Sequence, residues 1–139
     1  MKKVNGMYVI DDDKIYHFLL KNLFKQNNVE VSPVFFGNGQ DAIESLRNIP
    51  VTGEFPELIL LDVNMPIMDG WQFLDEYKKL TKAIGRSATI FMISSSNDEH
   101  DLTKAQDYSD VVKDYLLKPI CKEDLEKIFM TIGVSEGMI

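Results

Sequence analysis

The sequence predicts an α/β fold, a doubly wound five-stranded parallel sheet with helices on both faces. Two observations predict it. First, four short apolar runs stop abruptly at polar residues: Met7-Tyr8-Val9-Ile10 before Asp11-Asp12-Asp13, Leu58-Ile59-Leu60-Leu61 before Asp62, Ile90-Phe91-Met92-Ile93 before Ser94, and Tyr115-Leu116-Leu117 before Lys118-Pro119. Runs that are apolar throughout, rather than alternating, suit strands covered on both faces. Second, the segments between them are of helix length, and strands alternating with helices mark a parallel sheet joined by crossovers.

The elements follow in order. Lys14 to Asn27 predicts a helix whose apolar face is Ile15, Phe18, Leu19 and Leu23. Val29 to Phe36 predicts the second strand, ended by Gly37-Asn38-Gly39; Pro33 has no N–H for a ladder and favours a sheet edge. Gln40 to Asn48 is a short helix carrying Ala42, Ile43 and Leu46, and Pro50, Gly53 and Pro56 make Ile49 to Glu57 a loop. The third strand ends at Asp62. Met65 to Gly70 is a loop, and Trp71 to Leu80 a helix in which Trp71 and Phe73 pack inward. Gly85 breaks the chain before the fourth strand. Asp98 to Tyr108 predicts a weakly amphipathic helix. After the fifth strand, Leu125, Ile128, Phe129 and Ile132 mark the last one. The 139 residues fit one domain, and Gly133 to Ile139 leaves no room for another.

Composition narrows the function. A net charge of −7 argues against nonspecific nucleic-acid binding, which needs a basic surface. No apolar run approaches the length of a membrane span, and the stretch after Met1-Lys2-Lys3 is too short for a signal peptide, so a cytoplasmic protein is expected. The single cysteine, Cys121, forms no internal disulfide and is read as a buried or half-buried thiol.

In an open parallel sheet the strand C-terminal ends lie along one edge, where ligands bind. The four runs would bring carboxylates, a hydroxyl and an ammonium to that edge. Two unit charges about 4 Å apart cost on the order of 4 kcal/mol at an effective dielectric of about 20. A hard divalent cation removes that cost, and oxygen ligands favour Mg²⁺ or Mn²⁺ over zinc. A lone carboxylate such as Asp62 suits a nucleophile that forms an acyl phosphate. Lys118 suits a phosphoryl oxygen as a compact point charge.

These residues resemble the receiver domain of two-component response regulators, in particular the single-domain chemotaxis type. The resemblance rests on Val9-Ile10-Asp11-Asp12-Asp13, Leu60 to Gly70, Met92-Ile93-Ser94-Ser95 and Tyr115 to Pro119, and covers roughly Asn5 to Ile132. It implies a flavodoxin-like sheet of order 2-1-3-4-5. It makes Asp62 the phosphoacceptor and, with Asp12, a direct Mg²⁺ ligand, Asp11 a ligand through water and the Asn64 carbonyl the third protein ligand. Lys118, Ser94 and Ser95 would bind the phosphoryl group, Ser94 and Tyr115 would form the switch, and the bond to Pro119 would be cis. The implied partners are a sensor histidine kinase or histidine phosphotransfer protein and a downstream protein target, with phosphorylation-dependent homodimerisation left open.

Some positions depart from the commonest family pattern. Ser95 replaces a small Ala or Gly, and Asp13 adds a third acid, read as a solvated first-turn residue. Asn64 and Ser96 fall where the family tunes dephosphorylation. His17 is read as a surface or boundary residue, not a phosphorelay histidine, and His100 as solvated. An Asp-phosphoenzyme hydrolase would need an acid two residues after Asp62, where Asn64 stands. A flavin carrier would need a Ser/Thr-rich phosphate loop in place of Asp11 to Asp13. The remaining alternatives are a phosphate-independent interaction module and an excised receiver of a longer regulator.

Overall fold

The computed structural model describes residues 2–95 and 99–133. Its five-stranded sheet comprises β1 (Met7–Ile10), β2 (Pro33–Phe36), β3 (Leu58–Asp62), β4 (Thr89–Ser94) and β5 (Val112–Leu117). All neighbours are parallel, in the order β2-β1-β3-β4-β5. The helices are α1 (Lys14–Gln26), α2 (Gly39–Arg47), α3 (Gly70–Ile84), α4 (Glu99–Gln106) and α5 (Lys122–Ile132). Residues 96–98 and 134–139, with Ser96 and the expected helix start at Asp98, lie outside the described residues.

Successive strand residues point to opposite faces, so unbroken apolar runs feed two cores. Met7, Val9, Leu58, Leu60, Phe91 and Ile93 pack with Tyr16, Leu20 and Phe24 of α1 and Leu125, Ile128 and Phe129 of α5. Tyr8, Ile10, Ile59, Leu61, Ile90 and Met92 pack with Ala42, Ile43 and Leu46 of α2 and Trp71, Phe73, Leu74 and Tyr77 of α3. Helix α4 carries no buried residue among those described.

Two expectations need correction. The second strand is split: Val29–Glu30 pairs with Lys2–Lys3 in a separate ribbon, and only Pro33–Phe36 joins the main sheet, at its edge. On α1 the opposite stripe is buried. Ile15, Phe18 and Leu19 are 73%, 62% and 50% exposed, while Tyr16, Leu20 and Phe24 face the sheet. Both triplets are compatible with one helical face. The buried one has the two large rings, and burying more apolar area is the stronger drive. Leu23, at the boundary, packs partly against the core.

Close packing shapes the edge of the sheet that carries the site. Asp69 caps α3 by accepting Gln72 N–H at 2.9 Å, and Gln72 Oε1 accepts Asp69 N–H at 3.0 Å. Gly70 N–H then donates to Val63 O at 2.8 Å, pressing the helix start onto the end of β3. A Cβ on Gly70 would stand 2.5 Å from the Asp62 carbonyl oxygen and 3.0 Å from Val63 Cα. At the far end of the helix, Gly85 takes φ +70° as the left-handed C-cap. Arg86, just beyond, donates to the Pro50 and Gly53 carbonyls and lies over the Phe55 ring, tying down the loop from Ile49 to Glu57.

Because that contact is backbone against backbone, relief requires moving the helix or the strand end. Gly70→Ala is expected to lower unfolding free energy by about 1–3 kcal/mol, the usual cost of overpacking, as read by urea denaturation.

Candidate functional site

Register places the acids. Ile10, Leu61 and Met92 stand level across β1, β3 and β4, so Asp11 and Asp62 leave adjacent strands side by side. Neighbouring strands run about 4.8 Å apart. The backbone therefore holds two like charges close together. Asp12 joins them: one carboxylate oxygen from each of Asp11, Asp12 and Asp62 lies within 4.8 Å of the others.

The three acids are held differently. Asp11 is buried and engaged at each polar group. Its N–H donates to Phe36 O at 2.9 Å, its carbonyl accepts from His17 Nε2 at 2.6 Å, its Oδ1 accepts from Asp13 N–H at 2.9 Å, and its Oδ2 meets Lys118 Nζ at 2.6 Å. Asp62 is also buried; its Oδ1 accepts Val63 N–H at 2.9 Å, and its Oδ2 lies 3.7 Å from Lys118 Nζ. Asp12 is exposed. Asp13, expected as a solvated first-turn residue, is the N-cap of α1, accepting from Ile15 and Tyr16 N–H at 3.0 and 3.2 Å.

Lys118 follows β5 and reaches across the edge to both buried acids, with its Nζ 4.5 Å from the Tyr16 ring centroid. The ring face adds a favourable cation–π contact. Ser94 ends β4, buried, opposite Leu117, and its carbonyl accepts Lys118 N–H at 2.8 Å. Ser95 and Asn64 are exposed. Tyr115 pairs in register with Met92, two residues before Ser94, so Tyr115 and Ser94 share a sheet face; Tyr115 is half-buried. The Lys118–Pro119 peptide is cis.

Three features were not read from the sequence. Tyr16 lies under Lys118, and His17 reaches the Asp11 carbonyl. Ile67, in the loop after β3, takes φ +69° while 79% exposed, a conformation that costs a side chain about 1–2 kcal/mol. One reading is corrected: Cys121 is exposed, because it falls at the N-cap of α5 rather than in the core, where its N–H and Sγ both meet Asp124 Oδ2.

Burial, then the charge of Asp11, raises the Asp62 carboxyl; Lys118 and the Val63 N–H oppose this, and the outcome is a group pushed up to about 7. The donor set is three hard carboxylate oxygens with no nitrogen or sulfur ligand among them. That set fits Mg²⁺ or Mn²⁺, and a cation there would offset the burial and repulsion that raise Asp62.

A raised acid binds its proton more tightly when folded, so stability falls as pH rises from about 4 toward the folded value of about 7. Without divalent cation, Asp62→Asn is expected to stabilise the protein at pH 8 by on the order of 2 kcal/mol. The gain should shrink as pH falls toward about 4 and vanish below it, where the carboxyl is protonated in both states. Urea titrations at the two pH values check this.

The family model described as response regulator receiver domain matches residues 7–130. A crystal structure of a two component response regulator from Cytophaga hutchinsonii superposes with TM-score 0.83 at 30% identity, covering 94% of this chain and 97% of that one. The probable methanogenesis regulatory protein FilR2 of Methanothrix harundinacea is 27% identical over 86% of this chain and 75% of its own length. The nitrate/nitrite response regulator NarL of Escherichia coli is 38% identical over 73% of this chain, which spans only 42% of NarL. No helix among the described residues is long and apolar enough to cross a membrane.

Proposed function

This chain belongs to the response regulator receiver domain family, and on that premise we propose that it accepts a phosphoryl group on Asp62 from a histidine kinase or histidine phosphotransfer protein. The observation that carries the reading is the convergence of Asp11, Asp12, Asp62 and Lys118 on one sheet edge. Receiver domains are signalling phosphoacceptors, and they bind Mg²⁺ or Mn²⁺ at an acidic cluster of this kind.

In the proposed step, an Asp62 carboxylate oxygen bonds to phosphorus as the bond from phosphorus to the donor nitrogen breaks. Asp12 would hold the cation directly, Asp11 through water, and the Asn64 carbonyl would complete the protein ligands. The cation neutralises charge on the transferring group. Lys118, already between Asp11 and Asp62, would bind one phosphoryl oxygen, and Ser94 and the Ser95 N–H would bind others. Drawing Ser94 toward the phosphoryl group opens space on the sheet face it shares with Tyr115. Tyr115 turning inward would alter the surface formed by β5 and α4, a helix with no buried residue to resist displacement.

A donor protein must place its phosphohistidine at Asp62, so its footprint surrounds this edge. The exposed Ile15, Phe18 and Leu19 lie on α1, which starts beside the acids. They are proposed to form the apolar part of that footprint.

Intact-mass measurement after incubation with Mg²⁺ and acetyl phosphate should show one phosphoryl adduct that requires Mg²⁺ and is absent in Asp62→Asn. No adduct, together with no binding of a beryllofluoride mimic, would favour a phosphate-independent interaction module. Separately, Phe18→Asp is expected to slow transfer from the protein donor about tenfold, the scale of one well-buried contact. Its phosphorylation by acetyl phosphate should be unchanged. Equal slowing with both donors would refute the footprint.

A further inference from the structure

Asp11 is gripped by a contact that phosphoryl chemistry does not itself require. His17 Nε2 lies 2.6 Å from the Asp11 carbonyl oxygen. A carbonyl only accepts, so Nε2 must carry the proton. The side chain reaches back along α1 because helical side chains lean toward the N-terminus. The ring is also braced: its centroid is 4.5 Å from that of Phe35, and Lys21, one turn further on, sets its Nζ 5.0 Å from the Phe35 ring centroid. The next residue of β2, Phe36, accepts the Asp11 N–H. Strand β2 thus restrains Asp11 twice, directly and through the imidazole.

That carbonyl belongs to the planar peptide joining Asp11 to Asp12. Holding its direction restrains the paired rotation about ψ of Asp11 and φ of Asp12, and with it how the two side chains are set relative to each other. The geometry points to His17 as a positioning residue for cation binding: its Nε2–H locks this peptide plane so that both carboxylates face the cation together. The inference rests on the metal reading proposed above and deepens it, assigning a role to a residue that touches neither cation nor phosphoryl group. Releasing the plane leaves the acids chemically intact but lets them diverge.

Calorimetric titration of Mg²⁺ into the full chain, with no phosphodonor present, tests this. His17→Ala is expected to raise the Mg²⁺ Kd about tenfold, the lower end of what loss of an outer-shell partner usually does. His17→Gln, whose amide N–H can reach the same carbonyl, should recover most of it. An unchanged Kd in His17→Ala with only a lower Tm overturns the proposal, as does an equal rise in both variants; the ring would then serve packing on Phe35 alone. If His17→Ala does not fold, ¹⁵N NMR of the wild-type imidazole decides: a protonated Nε2 is expected, and a bare Nε2 overturns the lock. A wild type that binds no Mg²⁺ but shows a protonated Nε2 would instead bring down the metal reading, and the inference with it.

Discussion

Two carboxylates, Asp11 and Asp62, are forced together by strand register and are tolerated because Lys118 reaches both. The rest of the edge depends on that arrangement. A parallel ladder fixes where each strand stops relative to its neighbour, so the approach of the acids is a property of the backbone. Removing both from water costs free energy that one ammonium offsets only in part, as the raised Asp62 carboxyl records. The Lys118 contact is unequal, 2.6 Å to Asp11 against 3.7 Å to Asp62. Asp62 is therefore the less neutralised acid, and the one with most to gain from a cation.

Such an arrangement needs a rigid frame, and the two cores supply it. Strand side chains on one sheet face meet α1 and α5, and those on the other meet α2 and α3. Neither face can slip by one residue without exchanging its contents with the other. The contact of Gly70 with the end of β3 adds a stop in the remaining direction. The elements that contribute least to these cores are α4, with no buried residue, and the loop containing the exposed Ile67.

Much of this was legible in the sequence, for an identifiable reason. Strands covered on both faces read as unbroken apolar runs, so their ends, and the polar residues that follow, are sharply marked. Helix faces were less legible. On α1, Ile15-Leu19-Leu23 and Tyr16-Leu20-Phe24 have the same spacing, and only docking on the sheet separates them. The edge strand misled because Val29 to Phe36 is continuous in composition while its two ends pair with different strands, Val29–Glu30 with Lys2–Lys3 and Pro33–Phe36 with β1. Cys121 was misjudged because residue type predicts burial only on average, whereas its place at the start of α5 is set by neighbours. The Tyr16 and His17 contacts to the site leave no local signal: each depends on how α1 is rotated.

That rotation joins the two halves of the argument about α1. Turning Tyr16 inward brings its ring beneath Lys118 and, one residue on, places His17 at the rim, where it reaches the Asp11 carbonyl. The same turn puts Ile15, Phe18 and Leu19 into solvent on the helix that follows the acids at the end of β1. Had the predicted stripe been buried, the helix would have lost both the aromatic support under the lysine and the imidazole on the carbonyl. The exposed apolar surface is thus the geometric complement of the contacts that organise the site. The helix that would carry the proposed footprint is therefore the same helix whose Tyr16 and His17 touch Lys118 and the Asp11 carbonyl.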